Sequence, residues 1–232
     1  MDNRAYLERS ASYDVENEGK SRTMLKKARL ICEAIDAQGS GRPADILEVG
    51  CGTGLFTRLL ATRFPDSRIT ATDAFTPMLE RAGQRLSKFK NVELLQYDAE
   101  TEGTFPQRFD FVCGVDLIHH LKDPAAGLAH WRSCTNIGGM LVFFESNPRN
   151  PVLYLRTRNR PEEERFKYNT KSNLTAWLTV AGWKDVVVRA APIYLPNGSP
   201  GLWRTLGTIE GAMHVALWPI SGGMVLCARN AG

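Results

Sequence analysis

The chain has 232 residues, a hydrophobic content of 43% and a formal net charge of +4. This length is enough for one sizeable core, so one domain is the default expectation. No apolar run is long enough to span a membrane, and the N-terminus is a charged segment rather than an apolar leader. A net charge as small as this does not by itself indicate nucleic-acid binding. We therefore expect a soluble cytoplasmic protein.

The cysteines are expected to be buried free thiols. They form no C-x-x-C pair and have no regular spacing, which disfavours both a metal site and disulfides. The sequence therefore predicts no bound metal. The five cysteines are Cys32, Cys51, Cys113, Cys134 and Cys227.

Helical and strand-like hydrophobic periods alternate along the chain. An amphipathic helix over residues 20–37, whose basic residues are expected to face solvent, leads into a glycine-rich linker. Helices separate the strands that follow, so the pattern implies parallel βα units with helices on both faces of the sheet. Strands are predicted from residue 46 and at 68–72, 92–96, 109–115, 140–144, 186–188 and 224–227; helices are predicted from 55, over 76–86, from 124 and over 173–180.

Two stretches are longer than the connections between elements require. They span residues 146–171 and 190–223, and each follows a strand on the side where open α/β sheets bind ligands. We interpret them as substrate-side insertions that cover an apolar acceptor, with Tyr154, Tyr194 and Trp203 as candidate substrate-binding residues. An extra core helix or a dimer surface is the alternative interpretation.

The most informative segment is residues 46–54, Ile-Leu-Glu-Val-Gly-Cys-Gly-Thr-Gly. Its pattern predicts a strand, a tight turn and a helix, and the glycines let a ligand approach bare backbone at a helix N-terminus. The dinucleotide fingerprint G-x-G-x-x-G does not fit, because the third glycine, Gly54, comes one residue early. Glu48 would also repel a pyrophosphate but suits an ammonium or sulfonium group.

This segment resembles motif I, E/D-x-G-x-G-x-G, of the class I S-adenosylmethionine-dependent methyltransferases. Asp73 and Asp98, each at the end of a following strand, match the same family in order and spacing, and the resemblance covers residues 45–144. It implies that Glu48 holds the ammonium of S-adenosylmethionine, Asp73 the ribose diol and Asp98 the adenine amine. The other cofactor residues that it implies are Gly50, Cys51, Gly52, Gly54, Ala74, Met78, Ala99 and Val115.

His119 and His120 follow the fourth predicted strand. They resemble the post-strand His-His segment of small-molecule methyltransferases of the ubiquinone, menaquinone and natural-product type. Histidine is well suited to take a proton near neutral pH, and adjacent residues on a helical turn point in different directions. We favour His120 as the catalytic base, with His119 packing or contacting the cofactor. Alternatively both are structural, since methyl transfer needs little beyond alignment and a dry site.

The resemblance implies one α/β domain over residues 1–232, with a Rossmann-like seven-stranded, mostly parallel sheet whose last strand is antiparallel. Residues 1–42 would form an N-terminal cover, in which Tyr13 lines the transfer site, and residues 43–145 the cofactor-binding core. The expected activity is methyl transfer from S-adenosylmethionine to an oxygen, carbon or nitrogen of a small, partly apolar metabolite. We expect S-adenosylhomocysteine as coproduct, no nucleic-acid partner, and a monomer or homodimer.

Three other functions stay open at this stage. The basic runs at 20–29 and 149–160 would serve an enzyme that modifies RNA or protein, whose binding to nucleic acid would depend strongly on salt. A cyclase-like enzyme or a binding protein would use the cofactor pocket without methyl transfer. A nicotinamide-dependent dehydrogenase is disfavoured by the glycine spacing.

Overall fold

The computed structural model of the chain describes residues 18–37, 43–100, 105–191 and 221–232. Helices and strands alternate within these ranges, and two short 3₁₀ segments interrupt the pattern. The elements are α1 (Glu18–Asp36), β1 (Asp45–Val49), α2 (Leu55–Arg63), β2 (Arg68–Asp73), α3 (Thr76–Leu86), β3 (Val92–Gln96), β4 (Phe109–Val115), a 3₁₀ turn (Ile118–His120), α4 (Pro124–Ser133), β5 (Thr135–Ser146), α5 (Pro151–Thr157), a 3₁₀ segment (Pro161–Tyr168), α6 (Lys171–Val180), β6 (Lys184–Ala191) and β7 (Gly223–Arg229).

The described strands form one seven-stranded sheet in the order β3-β2-β1-β4-β5-β7-β6. The pairs from β3 to β5 are all parallel, whereas β7 lies antiparallel between β5 and β6. The predicted fold, a mostly parallel sheet with an antiparallel last strand and helices on both faces, is confirmed. β5 begins at Thr135, five residues before its apolar run, because Thr135 also pairs with Phe109 of β4, across an irregularity that includes two glycines.

Hydrophobic residues cover both faces of the sheet, because successive strand residues point to opposite sides. In β1, Ile46 packs into a cluster with α1 and α2. Its neighbour Leu47 packs into a second cluster that contains Trp131 of α4 and Leu174 of α6. Caps at Asp123 and Thr170, whose side chains accept hydrogen bonds from the backbone of the first turn, define where α4 and α6 begin.

The strand order reverses between β1 and β4. Successive strands run outward from β1 to β3 on one side and from β4 onward on the other. The connections leaving β1 and β4 therefore diverge and leave a crevice at the carboxyl ends of these strands, which is where open α/β sheets bind ligands.

The close packing beneath this crevice predicts the effect of adding one methyl group. A Cβ at Gly114 of β4 would lie 2.5 Å from a ring carbon of Phe143 and 2.7 Å from the carbonyl oxygen of Val49. We expect Gly114→Ala to lower the free energy of unfolding by about 1–3 kcal/mol, because backbone cannot move aside cheaply. Chemical denaturation measures this change.

The matched control is Gly83→Ala in α3, where the nearest atom would be a Leu94 methyl at 3.7 Å. Alanine is the better helix former, so this variant should be unchanged or more stable by about 0.5–1 kcal/mol. Equal destabilisation by the two substitutions would contradict the packing described for β4.

Candidate active site

A cavity of about 1010 Å³ opens at the carboxyl ends of the central strands. This volume lies at the top of the range for small-molecule sites, roughly 300–1,000 Å³. One side of the cavity is lined by the glycine turn and by the acids Glu48 in β1, Asp73 at the end of β2 and Asp98 after β3. The other side is lined by the His119–His120 turn and by the segment after α5.

The glycine turn has a backbone that other residues adopt only with strain. Gly50, Gly52 and Gly54 have φ angles of 75°, 54° and 77°. A Cβ at Gly54 would lie 2.9 Å from Leu86, whereas a Cβ at Gly52 would meet nothing within 4 Å. Gly52 therefore presents bare backbone to the cavity, and Gly54 packs α2 against α3 on the far side of the turn.

Asp73 holds the glycine turn against the end of β2. Its two carboxylate oxygens accept hydrogen bonds from the amides of Gly52 at 2.8 Å and Phe75 at 3.0 Å. Burial raises the pKa of Asp73, and these backbone amides offset part of the rise. Each oxygen keeps a further lone pair, so the carboxylate can also accept from a ligand diol.

Glu48 is a buried carboxyl group that a cationic ligand group would stabilise. It is 1% exposed, lines the cavity, and among the described residues no group completes a hydrogen bond to its Oε2 atom. Burial, the larger cause, and the charge of Asp73 raise its pKa to about 8, with the Thr57 hydroxyl offsetting part of this. A cationic ligand group would satisfy the orphaned oxygen, so these residues fit the ammonium and sulfonium charges of S-adenosylmethionine.

Asp98 and Phe75 extend this side of the cavity. Asp98 follows β3, is exposed, and accepts a hydrogen bond from the amide of Glu100 at 3.0 Å. Phe75 lies just after Asp73 and also lines the cavity. An aromatic face beside a carboxylate suits a flat, amine-bearing ring such as adenine.

His119 is held between two carboxylates on the opposite side. Its Nδ1 atom lies 2.9 Å from Oε2 of Glu145, and its Nε2 atom lies 3.3 Å from Oε2 of Glu163. Burial opposes a charge on this ring, but the hydrogen bonds to Glu145 and then Glu163 outweigh it and raise the pKa of His119 to about 10. The ring is therefore a buried imidazolium at neutral pH.

His120 has the opposite character. Its ring lies 4.1 Å from that of His119, centroid to centroid, and faces the same cavity. Burial, and then the positive charge of His119, lower the pKa of His120. His120 is therefore neutral at pH 7 and has a nitrogen lone pair with which to accept a proton.

An ion pair joins the first helix to this side of the site. Lys27 of α1 bonds to Asp116, whose other oxygen accepts from the amide of Ser146 at 2.8 Å. Asp116 has a φ of 51°, a strained angle for a residue with a side chain, and these contacts hold it there. Although burial raises the pKa of Asp116, the charges of Lys27 and His119 and the hydrogen bonds from Lys27 and Ser146 together outweigh it and lower the pKa.

The cavity brings together most of the residues predicted from the sequence. It is lined by both histidines and by ten of the eleven predicted cofactor residues, the exception being Gly54. Tyr154 is 51% exposed and does not line the cavity. Tyr13, Tyr194 and Trp203 lie outside the described residues. The lining residues predicted for the cofactor are Glu48, Gly50, Cys51, Gly52, Asp73, Ala74, Met78, Asp98, Ala99 and Val115.

Sequence reasoning missed three charged residues of the site. Glu163 lies in the stretch interpreted as a substrate-side insertion and was not among the candidate site residues, yet it pairs with His119. Lys27 belongs to a basic run assigned to solvent, yet its side chain is only 11% exposed. Glu145 ends an apolar strand, and that interruption of a buried run by an acid was the one local signal available.

Comparison with known proteins identifies the class. Residues 47–141 match a family model described as "Methyltransferase domain". The predicted resemblance to class I S-adenosylmethionine-dependent methyltransferases is thereby confirmed, and these residues form a methyltransferase domain. None of the helices in the described ranges combines the length and apolarity needed to cross a bilayer.

Individual relatives are similar over longer stretches. A malonyl-[acyl-carrier protein] O-methyltransferase of Paenibacillus sp. (strain JDR-2) is 28% identical over 185 residues, which are 78% of this chain and 66% of that protein. A ubiquinone biosynthesis O-methyltransferase of Pseudomonas entomophila (strain L48) is 29% identical over 66% of this chain and 71% of its own length. Other curated relatives are matched over only 42% or 51% of their length.

A solved structure shares the fold. The plantazolicin methyltransferase BpumL, determined in complex with SAH, has a TM-score of 0.66 and 16% identity, with 96% of this chain and 90% of that chain covered. At 16% identity, this similarity shows a shared fold only. The shared fold extends beyond residues 47–141, the segment that the family model matches.

The raised pKa of Glu48 predicts a pH-dependent stability of the ligand-free protein. The folded state holds a proton that the unfolded chain loses above about pH 4.5, so this stabilisation is complete below that pH and is lost as the pH rises to about 8. We expect Glu48→Gln to make the decline of unfolding free energy between pH 5 and 8 shallower, by up to about 1.4 kcal/mol per pH unit.

Urea denaturation across this pH range measures the slope. The matched control is Glu93→Gln, at an exposed position of β3, which should keep the slope of the parent protein. If Glu48→Gln left the slope unchanged, Glu48 would not be protonated in the folded protein.

Proposed function

We propose that this protein transfers the methyl group of S-adenosylmethionine to an oxygen, carbon or nitrogen of a small, partly apolar metabolite. The observation that carries the proposal is the composition of the cavity. A bare glycine turn and buried acids, which suit a cationic nucleotide-like cofactor, face a neutral imidazole across the same space. The methyltransferase-domain match and the names of the relatives support the same activity.

The cofactor-side residues would bind and orient S-adenosylmethionine. Glu48 would hold its ammonium, Asp73 its ribose diol and Asp98 its adenine amine, while Gly52 lets the backbone approach. When bound, the cofactor supplies an electrophilic methyl group on sulfur and leaves as S-adenosylhomocysteine. The protein's contribution is mainly alignment and exclusion of water.

His120 is the residue we assign as general base. Both ring nitrogens of His119 are engaged by carboxylates, so His119 has no free lone pair to accept a proton. His120 takes the proton from the acceptor's O–H, N–H or acidic C–H bond as that atom forms its bond to the methyl carbon. His119 is a positioning residue, whose fixed charge keeps His120 neutral and favours a developing anion on the acceptor.

Replacing the base should slow methyl transfer without abolishing cofactor binding. We expect His120→Gln to lower kcat by about 10²–10⁴-fold, because a glutamine side chain cannot take the proton from the acceptor. S-adenosylhomocysteine formation by the full-length protein measures the rate with a panel of phenolic, hydroquinone and acyl-carboxylate acceptors. Calorimetric binding of S-adenosylhomocysteine should stay within a few-fold of the parent.

The matched control is His130→Gln, a partly buried histidine of α4 that does not line the cavity. It should leave the rate unchanged. If product formed with no release of S-adenosylhomocysteine, the cyclase-like alternative would replace this proposal. Release only with RNA or protein acceptors would point to a macromolecule-modifying enzyme.

The acceptor we favour carries a carboxylate or phosphate. Arg160 is the member of the 156–160 basic run that lines the cavity, whereas Arg156 and Arg158 do not. An arginine there can bind such a group through paired hydrogen bonds. An acyl group on a carrier protein is the second candidate, favoured by the similarity to malonyl-[acyl-carrier protein] O-methyltransferases.

Arg160→Ala should therefore raise KM for an anionic acceptor by about tenfold, with kcat nearly unchanged, because a single charged hydrogen bond contributes about 1.5–3 kcal/mol. Steady-state kinetics with an acid and its neutral methyl ester measure the difference. Arg158→Ala, an exposed neighbour outside the cavity, is the matched control and should change neither constant. An equal rise in KM for acid and ester would remove the anion-binding role.

A further inference from the structure

A cluster of two imidazoles and a carboxylate lies on the acceptor side of the cavity. His119 and His120 come from the 3₁₀ turn after β4, and Glu163 from the 3₁₀ segment after α5. One potential ligand atom from each lies within 4.8 Å of the others. Because the two segments are distant in sequence, the fold rather than a local motif brings these atoms together.

A second carboxylate, that of Glu145, orients the histidine turn of this cluster. Glu145 is fully buried, and its Oε1 atom accepts the amides of Leu117 and Ile118, each at 2.8 Å. Its Oε2 atom accepts from Nδ2 of Asn169 at 2.8 Å and faces Nδ1 of His119. Metal-binding histidines are typically oriented in this way, with one ring nitrogen on a buried carboxylate and the other on the ion.

The spacing suits a small divalent ion. Nε2 of His119 and Oε2 of Glu163 are 3.3 Å apart, and two ligands of a tetrahedral ion at 2.0–2.2 Å would be separated by roughly the same distance. The ring of His120 is half-buried beside them, with a potential ligand atom within 4.8 Å of the other two. All three residues line the cavity, so an ion held by them would have an open position facing the acceptor.

The donor set selects the kind of ion. Two imidazoles and one carboxylate suit Zn²⁺ and similar transition metals, and a site with three protein ligands keeps a position for water or substrate. A bound ion would take the place of the proton on Nε2 of His119, which would be released to solvent, while Nδ1 keeps its hydrogen bond to Glu145. Mg²⁺ and Ca²⁺ prefer oxygen ligands throughout. The expectation of no metal came from the cysteines alone, and none of these three residues is a cysteine.

We propose that His119, His120 and Glu163 form a binding site for a divalent transition metal ion of the Zn²⁺ type, and that the bound ion inhibits methyl transfer. The inhibition follows because a His120 nitrogen bound to metal cannot accept a proton from the acceptor. This second part rests on the proposed function, whereas the binding site does not.

The experiment uses the full-length protein, freed of metal with a chelator. Zn²⁺ is titrated in competition with a chromophoric chelator, and Co²⁺ serves as a spectroscopic probe of the ligands. We expect one ion per chain, a Co²⁺ spectrum of nitrogen and oxygen ligands without thiolate charge-transfer bands, and no competition by Mg²⁺. Glu163→Gln should weaken Zn²⁺ binding by at least about tenfold, the lower bound for removing even a supporting group.

Glu164→Gln, an exposed carboxylate next in sequence, is the matched control and should bind as the parent does. Equal Zn²⁺ affinity of the Glu163→Gln variant and the parent would overturn the site. Thiolate bands in the Co²⁺ spectrum would also overturn it, because they would place the ion on a cysteine. Cys134 is such a cysteine, since its sulfur lies 3.7 Å from Nε2 of His130. Both readouts are independent of turnover.

The inhibition is tested by S-adenosylhomocysteine release with and without one equivalent of Zn²⁺. We expect at least a tenfold loss of rate that a chelator reverses, and a higher half-inhibitory Zn²⁺ concentration for Glu163→Gln relative to its own metal-free rate. An unchanged or higher rate at full occupancy would overturn the inhibitory role. Zn²⁺ binding by a protein that releases no S-adenosylhomocysteine would instead remove the proposed function and leave the metal site standing.

Discussion

The acceptor side of the cavity depends on one buried carboxylate, that of Glu145. It lies at the end of β5, is inaccessible to solvent, and accepts from two amides of the turn after β4, from Asn169 and from His119. A charged group so deeply buried is tolerated only when its hydrogen bonds are complete. Its partners must therefore stay in place, and the orientation of the histidine turn follows from that requirement.

The two sides of the cavity differ in charge for physical reasons that can be traced to single groups. At the glycine turn, the pKa of Glu48 rises to about 8 because of its burial and the charge of Asp73. On the acceptor side, His119 lies between two carboxylates and the pKa of Asp116 is lowered by Lys27. Among the described residues, the Glu48 side thus has room for the positive charge of a ligand, whereas the charges of His119 and Asp116 are already paired with opposite charges of the protein.

Local patterns predicted the fold, and most of the residues predicted to bind the cofactor line the cavity. All seven strands and most helices follow the predicted hydrophobic periods, and Asp123 caps α4 as its sequence indicates, whereas α5 (Pro151–Thr157) lies in a stretch for which no helix was predicted. The glycine turn was recognisable because its three positive φ angles require glycine within a few residues of one strand. Asp73 and Asp98 could be placed because the carboxyl ends of parallel strands meet at one edge of the sheet. The substrate-binding roles of Tyr13, Tyr194 and Trp203, which lie outside the described residues, stay a prediction.

By itself, then, the sequence determined the βα order, the glycine turn and the acids that end successive strands, because each is set by interactions between residues near one another in the chain. Only the tertiary structure decided which charged groups surround the histidines. Lys27, Glu145 and Glu163 reach His119 or Asp116 from three separate elements, and no local period encodes such a meeting. The difference in charge between His119 and His120 follows from it, since neighbouring carboxylates and burial, rather than residue type, set which imidazole is charged.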